Sequence, residues 1–282
     1  MANSNEVVET AQTASEYVQH HLGFLTYGKH ADGTWGFAHS TEEAAEMGFW
    51  AINVDSMMIS LLLGVLFLGL FRFCISKATS GKPGGLQNFI EIIVEMVQTN
   101  VKNTFFGKND LVGPLALTIF CWIFLMNTMD LIPVDIIPMF AQWVAGDPHL
   151  YFKAVPTTDL NITAGFAIGV FILIIYYSIK VKGLGGFLGE FAFHPFGKWA
   201  LPLNLLLELP GFFAKFVSLA LRLYGNFFAG EVIFLVIGLV GYWQLPMHFG
   251  WSVFHILVVT LQAYLFMMLT IVYMNQAHQT TH

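Results

Sequence analysis

Four long stretches of this chain carry no Asp, Glu, Lys or Arg, and they constrain its fold more than any other feature. They cover residues 56–71, 111–129, 160–179 and 247–274. An α-helix needs about 17 to 25 apolar residues to cross the roughly 30 Å hydrocarbon core of a bilayer. Charged residues make up 11% of the chain, against roughly a quarter in soluble domains. The stretches therefore predict an all-α integral membrane protein.

The rest of the composition excludes several other classes of protein. A formal net charge of -6 and the lack of a basic face exclude a nucleic-acid binder. Cys74 and Cys121 lie in or beside apolar segments, so we expect small buried side chains and neither a disulfide nor a metal site. No cofactor is expected. The first ten residues lack a basic segment followed by an apolar one, so we expect no cleavable signal peptide.

The basic residues predict the orientation of the chain in the membrane. Eight of the twelve lie in two intervals, residues 72–108 and 180–198, whereas Lys29 and Lys153 lie in the opposite segments. Because cytoplasmic loops carry the excess of Lys and Arg, these two intervals are expected in the cytoplasm. With five membrane segments, the N-terminus is then periplasmic and the C-terminus cytoplasmic. Residues 1–45 are expected to form a polar periplasmic segment, and residues 46–282 the membrane domain.

Residues 86–106 have the pattern of an amphipathic surface helix. The apolar positions at helical spacing are Phe89, Ile92, Ile93, Met96, Val97 and Val101. The polar positions on the other side are Glu91, Glu95, Gln98 and Lys102. Such a helix lies on a membrane surface or packs against a partner. Residues 134–159 contain three prolines and are expected to form an outside loop.

The fourth membrane region, residues 199–243, is too long for an upright helix. It stays mostly apolar for about 45 residues, which as helix would extend about 67 Å. This length predicts a steep tilt, a break at Pro210 and Gly211, or both. Four ionisable side chains lie inside the region: Glu208, Lys215, Arg222 and Glu231. Each costs about 2.5 kcal/mol or more at bilayer depth, so each is expected to have a function.

Helical geometry predicts where these side chains point. Ser218, Arg222 and Asn226 follow at four-residue intervals and form one polar stripe. Glu208 shares the face of Arg222, whereas Glu231 points the opposite way, so Arg222 must find its anion elsewhere. A carboxylate on a partner protein is the obvious candidate, because a permanent cation favours release of a proton from that group. The alternative is an arginine that extends to the membrane interface.

Further polar side chains predict a hydrated path through the membrane. His255 and Gln262 lie two helical turns apart and project from one face of the last span. A histidine titrates near neutral pH and a glutamine both donates and accepts hydrogen bonds, as a proton relay requires. Asn127 and Asp130 form another polar face, and Glu231 is expected to meet His255 and Gln262 across the helix pair. The alternative for His255 alone is a packed, hydrogen-bonded core residue.

Four segments of the chain closely resemble subunit a of the bacterial F-type ATP synthases. They are SLALRLYGNFFAGE at 218–231, FHILVVTLQAYLFMMLTIVY at 254–273, FLMNTMDLIPVDIIP at 124–138 and LNLLLELPGFF at 203–213. The resemblance spans about residues 45 to 277. It implies about five membrane segments with the amphipathic helix, the last two membrane helices being long and steeply tilted, in the bacterial inner membrane.

The same resemblance implies a function for the site residues. Arg222 would face the carboxylate of each passing subunit in a ring of c subunits and separate two aqueous half-channels. The residues implied for the outside half-channel are Asn127, Asp130, Glu231, His255 and Gln262. Glu208 is implied for the cytoplasmic half-channel, with Asn226 and Gln262 close to Arg222. Many relatives carry hydroxyls at the positions of Gly211 and Ala214, whereas here only Ser218 remains of that series.

The implied protein is a non-catalytic proton channel. Its implied partners are the c-subunit ring, the b subunits of the peripheral stalk, the rest of the synthase and membrane lipid. The sequence has no GxxxxGK[ST] loop, so ATP chemistry is expected on other subunits. The choice between H⁺ and Na⁺ stays open, since it rests largely on the c subunit. Two other classes remain as alternatives: a proton-coupled secondary transporter, which usually has inverted repeats, and a purely structural assembly subunit, which leaves Arg222 unexplained.

Overall fold

The structure is a computed structural model that describes residues 23–279 apart from 31, 39, 80, 134–135, 147–149, 194–196 and 198–200. Within these ranges the strands are β1 Thr26–Lys29, β2 Trp35–Phe37 and β3 Ile52–Asn53. The helices are α1 Thr41–Glu46, α2 Val54–Ser76, α3 Gly85–Thr104, α4 Val112–Thr128, α5 Ile136–Ala145, α6 Leu160–Phe193, α7 Leu201–Gly238 and α8 Gln244–His278.

Five helices among the described residues are long and apolar enough to cross a membrane: α2, α4, α6, α7 and α8. Many of their large apolar side chains are exposed, including Leu62 and Val65 on α2. In water such a surface would be costly, whereas lipid solvates it at no penalty. The predicted all-α membrane fold with about five membrane segments is confirmed.

The chain forms two compact units. The first comprises Met1–Leu62, Met126–Asp159 and Asn226–Val258. In its described part, β1 pairs antiparallel with β2 and with β3, so the sheet order is β2-β1-β3. The turn between β1 and β2 contains Gly33 with φ of 89°, a conformation that glycine adopts without strain. The N–H and hydroxyl of Thr34 donate to Asp32, and these bonds lower the pKa of that carboxyl below its usual value.

A buried carboxylate fastens three segments of the first unit together. Asp55 lies at the start of α2, and its Oδ2 accepts the backbone N–H of Leu25 at 2.9 Å and that of Lys153 at 2.8 Å. Its Oδ1 accepts the N–H of Ser56 at 2.7 Å. Charge-assisted bonds of this kind are roughly twice as strong as neutral ones. Asp55 therefore holds the segment before α6 against the N-terminal sheet.

The segment that was expected to be an outside loop contains helix α5. Pro138 occupies the first turn of that helix, where the missing N–H has no intrahelical partner to lose. The prolines therefore do not exclude a helix here. Residues 134–135 and 147–149 of the same segment lie outside the described residues. The proposed boundary at residue 45 stays a prediction.

The second unit comprises Leu63–Leu125, Leu160–Gly225 and Val259–His282. Its helix α3 is the amphipathic helix that the sequence predicts, with Ile90 and Val97 buried. The hydroxyl of Tyr264 on α8 donates to Oδ1 of Asn100 on α3 at 3.0 Å. Phe89 stays 58% exposed although it belongs to the apolar positions, as fits contact with lipid.

Helices α6 and α7 differ in whether they break. Helix α6 has a kink at Gly183, where φ is 73° and ψ is 163°, and Lys182 pairs with Glu190 at 2.7 Å. Helix α7 runs through Pro210 for 38 residues, about 57 Å. Of the two predicted alternatives, a break at Pro210 is therefore not found, and a steep tilt stays the prediction for a helix of this length. Helix α8, with 35 residues, is also longer than the bilayer core.

Candidate functional site

The residues predicted from the sequence fall into both units. The first unit contains Asn127, Asp130, Asn226, Glu231 and His255. The second contains Glu208, Ser218, Arg222 and Gln262. The surroundings of each side chain decide what it can do. A charged side chain that is buried in an apolar medium needs a partner of opposite charge, whereas an exposed one does not.

An acid and a histidine form the centre of the first unit. Asp130 lies in the turn that follows α4, and its Oδ2 is 2.5 Å from Nε2 of His255 on α8. Both side chains are 1% exposed. The imidazole ring lies edge-on to the rings of Phe227 and Phe234, at centroid distances of 5.7 and 5.4 Å. The carboxylate therefore orients a histidine that is otherwise enclosed by apolar groups.

Close packing against Gly230 fixes the same ring. A Cβ added to Gly230 would lie 2.5 Å from Cε1 of His255. No real Cβ approaches a ring carbon so closely, since carbon atoms meet at about 3.5 to 4.0 Å. Glycine is therefore needed at this position for the approach of α7 to the histidine. The adjacent residue in the chain is Glu231.

Glu231 has a partner that the sequence did not predict. Its Oε2 lies 3.0 Å from Nζ of Lys153, and both side chains are almost wholly buried. The ammonium also lies over the rings of Phe24 and Phe228, at 4.5 and 5.8 Å. The predicted contact of Glu231 with His255 and Gln262 stays a prediction, while the structure pairs Glu231 with Lys153 and His255 with Asp130. No pattern in the sequence identified Lys153, because it lies in an irregular segment far from Glu231.

A cavity of about 620 Å³ lies in the first unit. Its polar lining residues are Asp130, Gln244, His248 and Ser252. Asn127 is fully buried in the same unit. The hydroxyls of Ser56 and Thr157 and the indole N–H of Trp251 are buried without a hydrogen-bond partner among the described residues. Buried groups of this kind are usually satisfied by water, so this unit is suited to hydration.

Arg222 is only half-buried and lies on helix α7 in the second unit. Its Nη2 donates to Oγ of Ser218 at 3.3 Å, one turn earlier on the helix. In the part of the chain that the structure describes, no carboxylate lies within 4.0 Å of the guanidinium. Ser218 and Asn226 are exposed, as the predicted stripe requires. The guanidinium is therefore available to an anion other than the carboxylates of the described residues.

A second cavity, of about 310 Å³, lies in the second unit. Its charged and amide lining groups are Lys182, Glu190, Glu208, Lys215 and Gln276. Nζ of Lys215 donates to Oε1 of Gln276 at 3.2 Å. Gly211 also lines this cavity, and a Cβ added there would meet no atom within 4 Å. Gln262 is buried elsewhere in this unit, on α8.

A metal-dependent site does not emerge from the described residues. They contain no group of three or more His, Cys, Asp or Glu side chains placed to hold a metal ion. Cys74 and Cys121 are both buried and free. The polar groups that line the two cavities are acids, bases, amides and hydroxyls. These are the side chains that bind and pass protons.

Comparison with known proteins identifies the family. The family model described as ATP synthase A chain matches residues 57–275. The chain is 60% identical over 268 residues to "ATP synthase subunit a 2" of Hahella chejuensis, which covers 95% of this chain and 97% of that relative. It is 58% identical over 276 residues to "ATP synthase subunit a" of a Marinomonas species, with 95% and 97% covered. The subunit of Pseudomonas aeruginosa is 55% identical over 287 residues, with 96% and 99% covered. This chain belongs to the ATP synthase subunit a family.

Proposed function

We propose that this chain is the proton-translocating stator subunit of an F-type ATP synthase. It passes protons to and from the carboxylates of a rotating ring of c subunits. The observation that carries the proposal is the half-buried Arg222 guanidinium with no carboxylate of the described chain in contact. Because arginine stays charged at every physiological pH, it attracts a partner's carboxylate and favours proton release from it.

The cavity of the first unit serves as the outside half-channel in this proposal. Asp130 and His255 exchange protons across their short contact, and Asn127 and Glu231 continue the path. Gln262 is assigned to the same half-channel by the family resemblance alone. The enclosed histidine suits this role because neutral imidazole has one donor and one acceptor nitrogen. This role is supported by the buried Asp130 and His255 and by the buried polar atoms without a hydrogen-bond partner in the described part of the chain, all of which lie in the first unit together with the cavity.

The cavity of the second unit serves as the cytoplasmic half-channel. Glu208 lines it and lies on the same helix as Arg222. Ser218 and Asn226 complete the polar surface beside the arginine. In this proposal Arg222 keeps the two paths separate, so a proton must leave one path on a c-subunit carboxylate and enter the other after rotation. Each charge that crosses about 100 mV releases about 2.3 kcal/mol, and several transfers together drive the synthesis of one ATP.

The remaining parts of the proposal concern assembly. The c ring contacts the Arg222 face, the b subunits of the peripheral stalk hold this chain as a stator, and nucleotide sites lie on other subunits. The N-terminus lies in the periplasm and the C-terminus in the cytoplasm. Residues 1–45 form the periplasmic segment, ahead of the membrane domain at 46–282. The distribution of basic residues supports this orientation.

A matched pair of serines tests the two half-channels. Ser252 lines the cavity of the first unit and Ser178 that of the second. In a background with Cys74 and Cys121 replaced by alanine, Ser252→Cys and Ser178→Cys are treated with a membrane-impermeant thiol reagent. We expect Ser252→Cys to react from the periplasmic side and Ser178→Cys from the cytoplasmic side. Right-side-out and inverted vesicles that contain the whole complex separate the two directions.

One labelling result would contradict the proposal of two half-channels. Reaction of both cysteines from the same side would contradict two separate half-channels. Inhibition of ATP-driven proton pumping by each label serves as the second readout, because a label outside the path leaves pumping intact. Unlabelled variants must pump like the parent, which controls for damage by the substitutions.

A further inference from the structure

The buried pair of Lys153 and Glu231 carries an inference beyond the translocation path itself. Glu231 lies on α7, where the sequence predicts a side chain that handles protons. Lys153 is 2% exposed and comes from the irregular segment before α6. Lysine is rarely buried unless it is paired with an opposite charge, so the burial of Lys153 requires an explanation. The inference rests on the proposed function, because it assigns a role to Lys153 on the outside half-channel.

Contacts with three residues hold the backbone and the ammonium of Lys153 in place. Its backbone N–H donates to the buried Asp55 carboxylate at 2.8 Å. Its Nζ lies 4.5 Å from the ring centroid of Phe24 and 3.0 Å from Oε2 of Glu231. In the described part of the chain, the carboxylate that forms an ion pair with this ammonium is that of Glu231. The cation–π contact with the Phe24 ring stabilises the desolvated ammonium.

A buried carboxylate requires a cation, and the source of that cation matters on a proton path. Outside water contains Na⁺ and K⁺ in very large excess over protons. A carboxylate that recruited its counter-ion from this water would bind metal ions, since hard cations prefer carboxylate oxygens. A counter-ion built into the chain avoids this competition, because a tethered group has a high effective concentration at its partner.

We propose that Lys153 is a fixed counter-ion that denies Glu231 to metal cations from the outside water. The ammonium occupies the space beside Oε2 that Na⁺ would need. A proton can still reach the carboxylate, since it binds an oxygen lone pair and requires no coordination shell. Lys153 thereby determines the cation specificity of the outside half-channel at Glu231, separately from any selectivity of the c subunit.

The test compares luminal Na⁺ with a bulky organic cation. Inverted vesicles containing the whole complex are loaded with NaCl or with N-methylglucamine chloride at equal pH and ionic strength. Their lumen faces the outside half-channel. The initial rate of ATP-driven acidification is measured for the parent, Lys153→Met, Lys153→Gln and Lys153→Arg. Lys29→Met is the matched control, because it removes the same charge from an exposed position on β1.

We expect both neutral variants to pump several-fold more slowly with luminal Na⁺ than with N-methylglucamine. The parent, Lys153→Arg and Lys29→Met should pump equally in both, because each retains a fixed cation beside Glu231. A purely structural lysine would change the amount of assembled complex and not its response to Na⁺. Lys153→Gln provides a second neutral variant, with a polar side chain in place of the ammonium.

Three results would overturn the proposal. They are Na⁺ inhibition of the parent, equal rates in both salts for an incorporated neutral variant, and failure of both neutral variants to assemble. The last result would limit Lys153 to a role in folding. Arg222→Ala in the same vesicles separates this proposal from the proposed function. If Arg222→Ala pumps, the proposed function fails, and if it does not pump, the function stands whatever Lys153 does.

Discussion

The position of His255 depends on contacts of single residues. Asp130 orients the ring through one nitrogen, and Phe227 and Phe234 enclose it. On the proposed path, this orientation sets which nitrogen receives and which releases the proton. A neutral amide in place of the carboxylate would keep the size of the side chain and remove both its charge and its proton affinity.

Asp130→Asn is therefore expected to reduce ATP-driven proton pumping by about tenfold or more, since positioned acids and bases contribute factors of roughly 10² to 10⁴. Initial rates of acidification in inverted vesicles give the effect, after correction for the amount of assembled complex. Asp110→Asn is the control, because Asp110 is exposed. Pumping at the parental rate would show that the Asp130 contact is not on the path.

Gly230→Ala tests the close approach of α7 to the histidine ring. The added methyl would lie 2.5 Å from Cε1, so either the ring leaves Asp130 or the helix moves. We expect proton pumping to fall several-fold in this variant. Gly250→Ala on α8 is the matched control, because a Cβ there meets no atom within 4 Å. Equal pumping by the two alanine variants would contradict the packing argument.

At the residue scale, the sequence allowed candidate residues to be chosen by their type and spacing alone. Asp130 and His255 were both predicted, because an acid or a histidine in an apolar span requires an explanation. Their direct contact was not predicted, since it joins two helices distant in the chain. Lys153 was missed for the same reason: nothing in the order of residues places it beside Glu231.

At the scale of elements, the kink in α6 depends on one glycine. Gly183 has φ of 73° and ψ of 163°, a conformation that residues with a Cβ adopt only with strain of about 1 to 3 kcal/mol. The kink allows Lys182 to pair with Glu190 at 2.7 Å beside the cavity that contains Glu208. The proposed cytoplasmic half-channel therefore depends on the backbone at Gly183.

We expect Gly183→Ala to lower the thermal stability of the purified complex and the rate of proton pumping. Gly185→Ala is its control, because Gly185 has no positive φ and no atom within 4 Å of an added Cβ. Loss of subunit a from the heated complex is followed by gel electrophoresis. If both variants release the subunit at the same temperature, the strain argument is wrong.

The sequence predicted which segments are membrane helices better than it predicted where helices end or kink. The five membrane helices follow from apolar length, which depends only on local composition. A break at Pro210 was one of two predicted alternatives, yet α7 continues through this residue. Pro138 was expected in a loop, yet α5 contains it. Proline costs a helix about 3 kcal/mol in its interior, and packing against neighbouring helices can offset this amount. The kink at Gly183 was not predicted, because glycine is also common inside straight membrane helices.

At the scale of the whole molecule, membrane class and family were predictable, because both depend on features that the linear sequence retains. The matched family region and the five apolar helices confirm them. The small sheet was not predicted, since strands of two to four residues leave almost no periodic signal. Contacts that join distant segments, as Asp55 does, follow only from the tertiary structure.

The central claim is that Arg222 forces protons to travel by way of a partner's carboxylate. The most direct measurement is ATP-driven acidification of inverted vesicles containing Arg222→Ala, with the amount of incorporated subunit verified. We predict that acidification is lost while the complex remains assembled. Lys29→Met, which removes a charge from an exposed position on β1, is the control and should pump at the parental rate. Pumping near the parental rate by Arg222→Ala would contradict the account.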